Sequence, residues 1–180
     1  MNTNDYGLTG LAPDLNLNPA IGKEIQEKSV LENRVRSGAN WFYWIAGLSA
    51  LNSVISITGS SVTFILGLGI TQIVDVFAQA FAQEIPESKT IFLGMGLILS
   101  VVIASFFVGI GYLARRTRWI YTAGMILYAL DGLLLLFFGD YLGFGFHLYA
   151  LYGLYRGYRE SVELGRFMER NQPAQNFVPV

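Results

Sequence analysis

Two long stretches of the chain, residues 37–74 and 90–114, carry no charged side chain. As a helix rising roughly 1.5 Å per residue, the second alone is longer than a hydrocarbon core of ~30 Å. The pattern predicts a first span over 40–58. It opens on the aromatic run Trp41-Phe42-Tyr43-Trp44, suited to the headgroup level, and ends in the turn-forming run Thr58-Gly59-Ser60-Ser61. The span over 90–114 is closed by Arg115, Arg116 and Arg118. Another follows over 119–138, interrupted by Asp131 and ended by Gly139-Asp140. The last apolar run, 141–155, is short for a span at about 22 Å. It is expected to continue as a helix to Arg170, with Tyr152, Tyr155 and Tyr158 at the interface and Arg156 and Arg159 snorkelling.

The flanks are polar. Residues 1–20, rich in Asn, Gly and Pro, read as a disordered tail, and no basic segment leads into an apolar run near Met1, so no cleavable signal peptide is expected. Residues 21–36 predict an amphipathic surface helix. Glu24/Lys28 and Glu32/Arg36 stand at i,i+4, and Ile21, Ile25, Leu31 and Val35 form a thin apolar face. Residues 161–180 read as a cytoplasmic helix end and tail. The ambiguous segment is 62–83, whose first half is apolar. Its second half sets Gln72, Asp75, Gln79 and Gln83 on one helical face, opposite Ile73, Val76, Phe77 and Phe81.

Charge bias chooses between topologies. If Arg115, Arg116 and Arg118 are cytoplasmic, the next hairpin puts Asp140 outside and Arg156, Arg159, Arg166 and Arg170 inside. Keeping Lys23, Lys28, Arg34 and Arg36 inside as well leaves one crossing before Glu84. All of the 12 basic residues except Lys89 then face the cytoplasm. The expected fold is an all-α integral membrane protein: a four-span bundle over 37–160 with an additional re-entrant or interfacial helix at 62–83 and both termini cytoplasmic. Five full spans with the amino terminus outside is the alternative. A re-entrant segment is allowed only where protein covers its backbone polar groups.

Composition agrees with a membrane setting and removes several chemistries. Of 180 residues, 53% are apolar and 14% charged, against about 25% charged in soluble domains. With no cysteine, disulfides, thiolate catalysis and Cys-bound metals are excluded, and one histidine excludes multi-His metal sites. A net charge of −1 gives nucleic acid nothing to attract it.

Ionisable groups at membrane depth are costly, so they are the candidate site. Asp131 shares a helix face with Gly124, Tyr128 and Leu135. It is either a protonatable carboxylate on an ion path or a helix-to-helix hydrogen bond to Asn52, Tyr128 or His147. His147 is a proton-transfer group, a metal ligand with Asp131, Asp140 and Asp75, or a hydrogen-bonded packing residue. Asp140 is alternatively the N-cap of the last helix. Ser49, Asn52, Ser53 and Ser56 form a polar stripe that either faces the Gln72/Asp75/Gln79 stripe or packs closely through small side chains. Gly94, Gly96, Ser105, Gly109 and Gly111 read as a packing face within the chain or between subunits. Arg115, Arg116 and Arg118 suit lipid headgroups or the setting of orientation. Gly59-Ser60-Ser61-Val62 fits a rhomboid-type serine poorly, HExxH is absent, and Gly67-x-Gly69 lacks the basic residue of a phosphate loop.

Asn40-Trp41-Phe42-Tyr43-Trp44 with Gly47-Leu48 and Asn52, Gly67-Leu68-Gly69-Ile70-Thr71-Gln72 with Asp75, and Tyr128-Ala129-Leu130-Asp131 with Gly139-Asp140 and Phe146-His147 carry a resemblance. The chain resembles small uncharacterised bacterial inner-membrane proteins over about residues 37–160. The resemblance implies a bacterial inner membrane and no activity. The expected function is that of a non-enzymatic polytopic membrane protein, a structural or accessory subunit, as a homo-oligomer or with another membrane subunit. Its partners are membrane lipids, and no cofactor is expected. The alternatives are a small channel or proton-coupled transporter using Asp131, His147 and Asp75, and a metal-dependent hydrolase around His147.

Overall fold

The computed structural model describes residues 19–58 and 67–171, and among these every regular element is helical. The elements are α1 (Pro19–Ile57), α2 (Gly69–Glu84), a 3-10 turn (Pro86–Ser88), α3 (Lys89–Ala114), α4 (Arg118–Phe137) and α5 (Tyr141–Arg170). The expectations for 1–18, 59–66 and 172–180 lie outside the described residues. Among the described residues two helices are long and apolar enough to cross a membrane, the segment Pro86–Ala114 and Arg118–Phe137. α1 and α5 do not pass on that measure, because Asn, Ser, Gly, Trp and Tyr dilute the apolar residues in the uncharged part of α1 and in the first part of α5.

The bundle is organised around α1, which packs on α3 and α5, while α4 packs on α5. Phe42 and Ile45 of α1, Phe107 of α3, Tyr121 and Tyr128 of α4 and Leu154 of α5 build the core. One end is basic. There the Arg115 guanidinium donates to Asn40 Oδ1 at 2.7 Å and lies over the Tyr43 ring, and Arg118 packs against Gly165. The closest helix approach is also here: a Cβ on Gly38 or on Gly157 would overlap the other's backbone, and the Tyr121 hydroxyl rests against both. At the other end Gly139, with φ of +78°, turns α4 into α5.

The surface helix expected at 21–36 is instead the first part of α1, which runs unbroken into the aromatic segment. No proline interrupts 36–40, and Gly38 is held in helical geometry by its seat on Gly157. Beyond the basic end, α1 and α5 continue side by side, burying Leu31, Val35 and Phe167, with Arg34 3.5 Å from Glu160. Leu31 and Val35 therefore face α5, while Ile21 and Ile25 remain exposed. Lys28 pairs with Glu32 at 3.7 Å. α5 reaches Arg170 as its pattern predicts.

The small residues of α3 divide by face. Gly96 sits against Ala78 and Gly111 against Phe42, so these pack within the chain. Ser105 and Gly109 are exposed, and neither Gly94 nor Gly109 has a neighbour that a Cβ would meet.

α2 starts at Gly69, later than the apolar pattern suggests, and it starts inside the bundle. The Leu68 amide donates to Ser49 Oγ at 2.7 Å, near the middle of the apolar part of α1. Further along, Asp75 meets Ser53, Gln79 meets Ser56, and Phe81 stacks on Phe92 of α3. α2 thus runs parallel to α1 from mid-bundle to the end remote from the arginines, where Thr58 and Glu84 both lie. At 16 residues it is about 24 Å long.

Candidate functional site

A helix that begins inside a protein has first-turn N–H groups with no intrahelical partner. Leu68, at the N-cap of α2, has no side-chain oxygen to offer them. Asp131 of α4 does so from across the bundle: the Gly69 amide donates to Oδ2 at 2.7 Å and the Ile70 amide to Oδ1 at 2.9 Å. A carboxylate on the positive end of a helix dipole is favourable as well as hydrogen-bonded. Glycine is needed at 69 because a Cβ would come within 2.7 Å of the Leu135 side chain. Thr71 Oγ1 closes the turn by donating to the Leu68 carbonyl at 2.8 Å.

His147 of α5 completes the arrangement. Its Nδ1 lies 2.9 Å from the Gly143 carbonyl and its Nε2 lies 2.9 Å from Asp131 Oδ2. A carbonyl only accepts, so Nδ1 carries a hydrogen. The Nε2–Oδ2 contact needs a hydrogen on one of its two atoms. The ring is fully buried and stacks on Tyr128 with centroids 4.3 Å apart. Gly132 makes room for it, since a Cβ there would meet His147 Cβ at 3.0 Å.

Asp140 is the N-cap of α5, accepting from the Gly143 amide at 2.8 Å. Gly143 in turn is the residue whose carbonyl orients His147. Asp140→Ala is expected to lower stability by about 1 kcal/mol, the usual worth of a cap, read as a shift in the unfolding midpoint in detergent. A shift of several times that size would mean that Asp140 also holds the His147 site together.

Asp75 forms a separate centre. Ser53 donates to its Oδ2 at 2.8 Å and Ser100 of α3 to its Oδ1 at 3.0 Å, and only 8% of Asp75 is exposed. The Gln79 amide donates to Ser56. The serine stripe of α1 and the polar stripe of α2 therefore meet by direct hydrogen bonds.

Of the sequence-derived candidates, Asp131, His147 and Tyr128 come together, and Asp75 stands roughly 9 Å further along α2 from Gly69. Asp140 joins only through Gly143. Asn52 is buried, with its amide nitrogen beside Gly67. Tyr128 contributes its ring, because its buried hydroxyl makes no hydrogen bond. Arg116 lies over the Tyr112 ring. Sequence reasoning missed the main partners of Asp131, the Gly69 and Ile70 amides, and it missed Ser100. A usable signal was present: a helix starting Leu-Gly, with no capping side chain, in a chain with an aspartate inside an otherwise apolar run.

Chemically, the site binds backbone more than it invites a ligand. Both His147 nitrogens are engaged, which leaves no lone pair for a metal and no contact to a serine hydroxyl. Among the described residues no three His, Asp or Glu side chains converge as a metal-binding group. No protein-family model, curated protein or solved structure matches the chain.

Proposed function

We propose that the chain is a four-span inner-membrane protein with a re-entrant α2 and a cytoplasmic basic end, acting as a non-enzymatic structural subunit of a membrane assembly. One observation carries the reading. Asp131 and Asp75, the carboxylates at bundle depth, are both spent on fastening α2, through backbone amides in one case and serine hydroxyls in the other. At the start of α2 two backbone amides gain acceptors in this way, part of the cover that a re-entrant segment requires. The exposed apolar side of α3, including Ile91, Met95, Ile98, Val102 and Phe106, suits lipid or a neighbouring subunit.

Topology is tested in intact cells with single cysteines in a chain that has none. Asn33→Cys is expected to be protected from a membrane-impermeant maleimide, whereas Ser60→Cys and Ser88→Cys are expected to label. Labelling at Asn33 with protection at Ser60 would establish five spans instead. The subunit role is tested by crosslinking in native membranes. A strict monomer with no crosslinked neighbour would sink it.

A carrier or channel is the second reading, favoured by the buried contact of the His147 ring with the Asp131 carboxyl. Its test is proton flux in liposomes. His147→Gln keeps a donor for Asp131 but cannot carry a proton, so flux that is present in wild type and lost in this variant would replace the structural reading.

A further inference from the structure

The crossing of α1 and α5 at Gly38 and Gly157 leaves a recess on the surface at the basic end. The groove there has a volume of about 560 Å³, and Arg34, Trp41, Arg156 and Glu160 stand around it. A second groove of about 400 Å³ shares Ser37, Trp41 and Tyr149 with the first, and is lined further by Trp44, Leu48 and Phe146. From Ser37 to Leu48 it runs about 16 Å along α1. A polar, charged recess thus continues into a mainly apolar surface groove along α1, with the edge-on pair Trp41–Tyr149, 5.3 Å apart, where the two meet.

The charges in the recess are of both signs. Two guanidiniums offer planar donor sets that match a phosphate. Glu160 Oε2 is ion-paired with Arg34 Nη1 at 3.5 Å but accepts no hydrogen bond, so it has room for a further donor. A simple anion would satisfy the arginines and leave Glu160 repelled. A headgroup with a phosphate next to a primary ammonium satisfies both, and its acyl chain follows the apolar groove.

We propose that the α1/α5 groove is a binding site for one phospholipid of the phosphatidylethanolamine class, with phosphate on Arg34 and Arg156, ammonium on Glu160, and an acyl chain along Trp44, Leu48 and Phe146. The proposal rests on the membrane reading above, because the apolar groove must lie in hydrocarbon.

The test is native mass spectrometry of the full chain in detergent, titrated with dioleoyl phosphatidylethanolamine and dioleoyl phosphatidylglycerol. Wild type is expected to retain one phosphatidylethanolamine with about tenfold preference, the worth of one charge-assisted hydrogen bond. Glu160→Gln should bring the two lipids level. Arg34→Gln with Arg156→Gln should weaken both by about tenfold or more. Trp44, largely exposed, tests the chain groove without touching the core: Trp44→Ala should weaken both lipids and leave the unfolding midpoint unchanged. Equal retention by wild type, preference for phosphatidylglycerol, or a preference that survives Glu160→Gln would overturn the proposal. Carbonate extraction of native membranes separates the two failures. Release of the chain defeats the membrane reading, whereas a retained chain that keeps no phosphatidylethanolamine defeats the lipid site alone.

Discussion

Asp131→Ala is expected to lower the unfolding free energy of the detergent-solubilised protein by about 3–5 kcal/mol, the cost of removing one partner from a buried, charge-assisted network. Three donors lose their acceptor at once: the Gly69 and Ile70 amides and the His147 ring. The damage should be local before it is global, because α2 has no other cap at Leu68. Thr71, fully buried in the first turn of α2, reports on this. A Thr71→Cys substitution should resist maleimide in the otherwise native chain and react about tenfold faster or more once Asp131 is alanine, because the open state gains population. Asp131→Asn should recover part of the loss, since its amide oxygen accepts one N–H while its nitrogen confronts the other. An unchanged midpoint together with a still-protected position 71 would remove Asp131 from the capping role.

Gly157→Leu should have the second largest effect, a loss of about 1–3 kcal/mol or more from overpacking. The neighbour that a side chain would strike is the Gly38 backbone, which cannot swing aside as a rotamer can. α1 and α5 would have to separate, and the buried Tyr121 wedged on the same spot would lose its seat. Gly38→Leu should act in the same sense. The double variant should cost less than the sum, because one intrusion already parts the helices. Gly47→Leu is the control: no atom lies within reach of a Cβ there, so it should stay within about 0.5 kcal/mol of wild type. Denaturant midpoints for the four proteins decide the matter, and a Gly157→Leu midpoint equal to that of Gly47→Leu would refute the close crossing.

Much of the fold was legible because it rests on local patterns. The uncharged run before Ala114, the turn at Gly139-Asp140 and the continuation of the last helix to Arg170 each follow from charge and hydrophobic period within a short window, and helices formed there. Asp140 was legible as a cap for the same reason, since its partner is three positions away. The continuity of α1 was not. A charged segment followed by an aromatic one looks like surface helix and then span, whereas α1 is one helix with Leu31 and Val35 buried in its charged part.

At the candidate site, the carboxylates that composition singled out are buried ones, but their partners were not legible. Asp131 and His147 do pair, as one of the readings allowed. Asp131 also binds two main-chain amides, however, and these are identical at every position and leave no trace in residue type. The stripe on α1 could be read from spacing, and Ser53 and Ser56 do meet Asp75 and Gln79. Ser100 escaped notice because a single serine in a long apolar helix has no periodic partner to mark it.

The anchoring of α2 also has a consequence for biosynthesis. Gly69 leaves the ribosome 62 positions ahead of Asp131, and His147 follows 16 positions later still. At ~5–20 residues per second, α2 waits roughly 4–16 s before its anchor is complete. Throughout that interval the Gly69 and Ile70 amides lack their acceptor, while Asp75 can already be held by Ser53 of α1 and Ser100 of α3. The far end of α2 therefore has its partners early, and its leading turn is closed only when the α4–α5 hairpin arrives.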